Sequence, residues 1–146
     1  MATTHKWTLP STTLTSYLTT ELNALANGAY SAASSAIDNT TNLHQWMAVH
    51  LHLQSLTPTG SPYIAIYLLP AFDASVYVDG GGATAPPANT LVAVMDLSTS
   101  ATAKERSAVF AIPPASFKLV LYNGAGPALA ATLNTLKGNT FAEQDA

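Results

Sequence analysis

The stretch LHQWMAVHLHLQSL, residues 43–56, decides the fold. Leu43, Met47, Val49, Leu51 and Leu53 fall on one parity, and His44, Trp46, His50, His52 and Gln54 on the other. A period of two describes a half-buried β-strand with its apolar face inward. A helix would scatter the three histidines around its axis, at about 100° per residue. TPTGSP (57–62) then turns the chain, and YIAIYLL (63–69) returns as a second strand. The two are expected to form a hairpin at the centre of an antiparallel β-sandwich.

Working outward, the same punctuation repeats. Strands are expected at 29–37, 91–97, 104–112, 117–123 and 129–136, with a short one at 76–78, all separated by Pro, Gly and polar turns. Short strands between such turns signal an all-β sandwich, jelly-roll-like in its strand count. TTELNALAN (19–27) is the one helix candidate: a Thr cap, Glu21 in the first turn, Gly28 to close it, and Leu22 with Leu25 on one face. Residues 1–18 are Thr/Ser-rich, with Pro10 barring a regular helix. They are expected to be an extended N-terminal arm, with residues 19–146 as a single β-sandwich domain.

Composition limits the function. The 146 residues are 48% hydrophobic and only 9% charged, so a chain of this length has a core to bury and few surface charges to hold neighbours off. That favours life in an assembly. Net charge is −3 and the five basic residues (Lys6, Lys104, Arg106, Lys118, Lys137) are scattered, which argues against nucleic acid as a partner. There is no cysteine. Neither a signal-peptide pattern nor a long apolar run stands out, so no membrane partner is expected.

Catalytic chemistry finds little purchase. No GxSxG elbow occurs, and eight acidic residues offer no defensible carboxylate pair. Asp73 and Asp79 do not fit an EF-hand, and the Gly80–Gly82 run lacks the lysine of a phosphate loop, so it reads as plain loop. His50 and His52 at i, i+2 can share a metal, but only Gln54 stands near as a third ligand. A solvent or subunit contact is the better reading, and histidines at an interface would make assembly respond to pH. The expectation is therefore no catalytic residues, no cofactor and no metal. Trp46, Tyr17, Phe72, Tyr77 and Phe141 are candidates for exposure, as contact aromatics.

Four stretches, TTELNALANGAYS (19–31), YIAIYLLPAFD (63–73), DGGGATAPPANTLVAV (79–94) and FAIPPASFKLVLYNGAGPALAATLNTLKGNTFAEQ (110–144), together resemble small virion structural proteins of tailed bacteriophages. They cover most of the chain in order. The resemblance implies a non-enzymatic head decoration (cement) protein, made in the host cytoplasm and carried on the capsid surface. Its implied partner is the major capsid protein, and its implied state is a homo-oligomer, with a trimer favoured. The residues themselves nominate Trp7, Leu9, Leu14 and Tyr17 as arm anchors, and the 70–90 loop, with Phe72 and Tyr77, as a second contact. The rival from another class is a tail-associated carbohydrate-binding module, which would gather Phe72, Tyr77, Asp79 and Asn89. A small esterase or glycosidase comes third.

Overall fold

The computed structural model covers residues 5–7, 13–73 and 75–145, with His5, Trp7, Gln144 and Asp145 as backbone only. Among these residues there are nine strands: β1 (His5–Trp7), β2 (Thr15–Leu18), β3 (Trp46–Leu53), β4 (Tyr63–Ala71), β5 (Leu91–Asp96), β6 (Lys104–Ala111), β7 (Ser116–Gly124), β8 (Thr135–Phe141) and β9 (Glu143–Asp145). A four-stranded sheet in the order β2-β8-β3-β6 packs on a three-stranded sheet in the order β5-β4-β7, and β1 pairs with β9 as a separate ribbon. All pairings are antiparallel. The chain is an all-β sandwich.

The alternation in β3 does what its period requires. Met47, Val49, Leu51 and Leu53 are buried, while Trp46, His50 and His52 lie on the outer face. Ile64, Ile66 and Leu68 of β4 and Phe117, Leu119 and Leu121 of β7 meet them from the facing sheet. Each such side chain contributes about 1.5–3 kcal/mol by leaving water. Truncating a fully buried one, as in Leu51→Ala, costs about 2–5 kcal/mol once the cavity is included.

β3 and β4 are not a hairpin. Each is a central strand of its own sheet, and residues 54–62 carry the chain across the sandwich. Two prolines keep that link from making a tight turn, and buried Leu56 pins it to the core. Leu43 also departs from its parity. It sits before the strand, 56% exposed and with φ at +49°, in a turn closed by Asn39. Asn39 accepts the His44 N–H and donates to the carbonyls of His44 and Pro113.

The expected helix at 19–27 reduces to a 3₁₀ turn at Thr20–Leu22. Long-range partners take the backbone groups that a helix would have used. Ala24 N–H donates to the Ala130 carbonyl, Leu129 N–H donates to the Leu25 carbonyl, and Asn123 Nδ2 donates to Leu25 as well. Two turns of helix are too marginal to compete with such partners. The strand expected at 129–136 is displaced to Thr135–Phe141, because Gly138 and Asn139 hide a strand that reads as polar. Val76–Val78 are loop, tied to β4 by the Val78 N–H on the Pro70 carbonyl.

Residues 29–37 were expected as a strand and are instead an extended segment beside β7, bridged only at Tyr30↔Tyr122 and Ile37↔Phe117. Its amides at Ser31, Ser34 and Ile37 donate to the carbonyls of Leu121, Leu119 and Phe117. Three residues of the segment therefore match two of β7, and the ladder would starve β7 of acceptors. The buried hydroxyls of Ser31 and Ser34 fill the gap, accepting from the N–H groups of Leu121 and Leu119, both at 3.0 Å.

Candidate functional site

The first candidate site is on the side of the sandwich where β5 and β6 lie together. Both are edge strands, with no second strand neighbour among the described residues. At one end of this side lies a groove of about 430 Å³, lined by Val92 of β5 and Ala111 of β6, by Leu68 and Pro70 of β4, and by the loop residues Phe72, Val78, Pro87, Asn89, Thr90 and Pro113. Phe72 is 78% exposed on its wall, whereas exposed Leu91 and Val94 stand opposite Tyr67 and Ala65 on the outer face of the three-stranded sheet, and exposed Val109 stands opposite Ala48 on the outer face of the other. A large apolar ring left in water beside an open edge, as Phe72 is, makes this groove a candidate for contact.

Phe72 is thus exposed, as the sequence suggested, on the wall of this groove. Tyr77 does not join it in this groove. Its ring carries the Lys118 ammonium, 4.3 Å from the centroid, on the outer face of the three-stranded sheet. The loop is packed down at Gly81, whose α-carbon faces the backbone of Ser31 and Ala33 and the side chain of Val120. With φ at +93° and no room for a larger group, only glycine fits there comfortably. The Gly82 N–H completes the contact by donating to the Ser31 carbonyl.

Of the arm residues, Thr15–Leu18 form edge strand β2 on β8. Leu18 is fully buried, Tyr17 is half-buried and its burial pushes the phenol pKa up, and Leu14 is exposed. Trp7 lies in β1, paired with Glu143 of β9; its side chain and all of Leu9 lie outside the described residues. Phe141, expected among the exposed aromatics, is buried, standing across from Trp46 in the β3–β8 register.

The histidine face is a second concavity, of about 410 Å³, lined by His50, His52, Glu105, Leu133, Thr135 and Lys137. The register explains it: His52 pairs with Glu105, and His50 with Ser107 on one side and Lys137 on the other. His50 Nε2 donates to Glu105 Oε2 at 2.8 Å and His52 Nδ1 to Oε1 at 2.5 Å. A carboxylate only accepts, so these bonds fix both tautomers. The His52 hydrogen bond chiefly, joined by the His50 bond, holds the Glu105 carboxyl below its ordinary value. Among the described residues no three His, Asp or Glu side chains stand where they could hold one metal ion. The carboxylate joins the two imidazoles to itself.

Asp and Asn side chains elsewhere serve the turns. Asn123 and Asn134, both buried, tie the 19–27 region to residues 125–134. Lys104, on the inward side of β6 and 2% exposed, turns its ammonium to the carbonyl and hydroxyl of Ser100. The edge residues Leu91, Val94 and Val109 were missed in the sequence, because LVAVMD carries no alternation and Val109 looks like any core valine. No known protein-family profile and no curated protein matches the chain.

Proposed function

We propose that this chain is a structural protein of a tailed-phage virion, a head-decoration protein that binds the outside of the capsid lattice and braces it. The observation that carries this reading is the open β5–β6 side, with its apolar groove and the exposed ring of Phe72. It is a surface made for another protein, on a chain with few charges to keep partners apart. The resemblance of four long stretches to phage virion proteins supplies the kind of partner, the major capsid protein.

Mechanically, the sandwich is a rigid block, and the groove is a socket for an apolar side chain or a strand of the capsid subunit. Filling it would bury Phe72, a contribution of about 1.5–3 kcal/mol at a central contact. One such contact is weak. A symmetric oligomer, trimeric in this proposal, touches several capsid subunits at once, and effective concentration multiplies the contacts.

Co-sedimentation with undecorated capsids tests the reading, using the full chain, Phe72→Ala, and a version lacking residues 1–13 so that β2 stays in the sheet. Saturable binding by the full chain, weakened about tenfold or more by Phe72→Ala, is the expected result. Weakening by the truncation assigns the arm a part in the contact. No saturable binding by the full chain overturns the proposal.

A further inference from the structure

The outer face of the three-stranded sheet carries four tyrosines gathered from three separate stretches. Tyr63 and Tyr67 project from β4, Tyr122 from β7, and Tyr30 from the serine-linked segment beside β7. Ring centroids are 5.8 Å apart for Tyr63–Tyr122, 5.0 Å for Tyr30–Tyr122 and 5.8 Å for Tyr30–Tyr67. All four are half-buried.

The arrangement makes a floor and a wall. Tyr63 pairs with Gly124, and a Cβ built on Gly124 would stand 2.8 Å from the Tyr63 ring. Glycine therefore lets that ring lie down on the sheet, with one face against the backbone and the other turned outward. Tyr122 packs beside it, its ring tilted by 31°, next to the small Ala65. Tyr30 and Tyr67 meet edge-on at 71° beside it. Burial pushes the Tyr63 and Tyr67 phenols up, so both remain hydroxyls that donate and accept at any ordinary pH. Asp96, the β5 partner of Tyr63, adds an exposed carboxylate on the same face.

From this geometry we infer that the tyrosine face binds a neutral pyranose oligosaccharide, stacked on Tyr63 and Tyr122 and hydrogen-bonded by Asp96 and the phenols. The chemistry selects this ligand. A pyranose presents a face of C–H bonds, slightly positive, to the negative face of an aromatic ring, and a rim of hydroxyls to acceptors and donors. Charge complementarity agrees: the floor carries one carboxylate, and the Lys118 ammonium on this sheet face is engaged by the Tyr77 ring. A phosphate or other polyanion finds no free cationic cluster here. Tyr63 and Tyr67 already share hydrogen bonds with Tyr122 and Tyr30, and exposed Leu91 and Val94 border the rings opposite Tyr67 and Ala65, so Asp96 is the group that a wholly apolar protein surface would leave without a partner.

This site is separate from the Phe72 groove and does not depend on the capsid reading. The test uses the purified protein without capsids, titrated calorimetrically with cellohexaose, chitohexaose and maltohexaose. At least one is expected to bind, with Tyr63→Ala weakening it about tenfold and Asp96→Asn severalfold, while Phe72→Ala leaves it unchanged. Amide shift mapping on the unmodified protein, which needs no variant to fold, should centre on Tyr63, Tyr122 and Gly124. The inference is overturned if none of the three sugars binds at millimolar concentration. It is equally overturned if the shifts centre on the Phe72 groove or the histidine face, or if the tyrosines instead prove to seal a contact between two copies that Tyr63→Ala dissociates.

Discussion

The Ser34 hydroxyl stands in for a backbone carbonyl, accepting the Leu119 N–H at 3.0 Å while donating to the Ser35 carbonyl at 2.8 Å. Ser31 repeats the device at Leu121 and Ala32. Removing either hydroxyl leaves a buried N–H without a partner, a loss of about 1–3 kcal/mol. Ser34→Ala and Ser31→Ala should each lower the urea midpoint accordingly, with the slope unchanged. A change smaller than about 0.5 kcal/mol in both would mean that something else satisfies the amides.

Leu43 offers the opposite case, a residue whose replacement should help. It holds φ at +49° while 56% exposed, so it bears left-handed strain with little burial in return. Leu43→Asn should stabilise by about 0.5–1 kcal/mol, since asparagine tolerates that conformation. Thermal unfolding checks it, and a lowered midpoint would show that the side chain holds more than the turn.

Glu105 makes stability depend on pH with a defined sign. Its folded pKa lies below the ordinary value of 4.5, so the unfolded chain binds more protons between the two. The stabilisation is full above the unfolded pKa and is lost as pH falls through the folded one. Glu105→Gln should therefore flatten the acid side of the stability profile below pH 4.5. Urea unfolding at a series of pH values reads this directly; an unchanged acid slope would assign the acid sensitivity elsewhere.

Gly81→Ala should cost about 1–3 kcal/mol, from positive φ and from contacts at 3.1 Å with Ser31, Ala33 and Val120. The local readout is hydrogen exchange at Gly82, whose N–H is held by the Ser31 carbonyl. Its protection should fall ahead of that of β4. Unaltered protection would mean that the loop adjusts without leaving the segment.

What could be read from the chain follows from the range of the interactions. β3 was legible because its period is written in consecutive residues, and β5, β6 and β7 because turns bracket them. The 19–27 helix failed because the competing partners, Ala130, Leu129 and Asn123, lie about a hundred residues away along the chain. Segment 29–37 failed for a subtler reason: its serines look like filler, yet its match of three residues to two depends on them. Glu105 between two histidines is a register effect, visible only once Leu53 is known to face Lys104. The tyrosine floor needed three chain stretches and one glycine. Nothing local joins Tyr63 and Tyr67 to Tyr30 or Tyr122.

The β1–β9 ribbon sets how the molecule meets force. His5 lies opposite Asp145, so whatever precedes the one and whatever follows the other leave from the same end of the ribbon. Tension applied through those two ends opens the pair like a zipper, one hydrogen bond at a time, and never loads the bonds together. Such a ribbon yields early. Under the proposed capsid role, load is then taken through the faces and edges, with the sandwich under compression, and a tether at either end would yield before the core felt it.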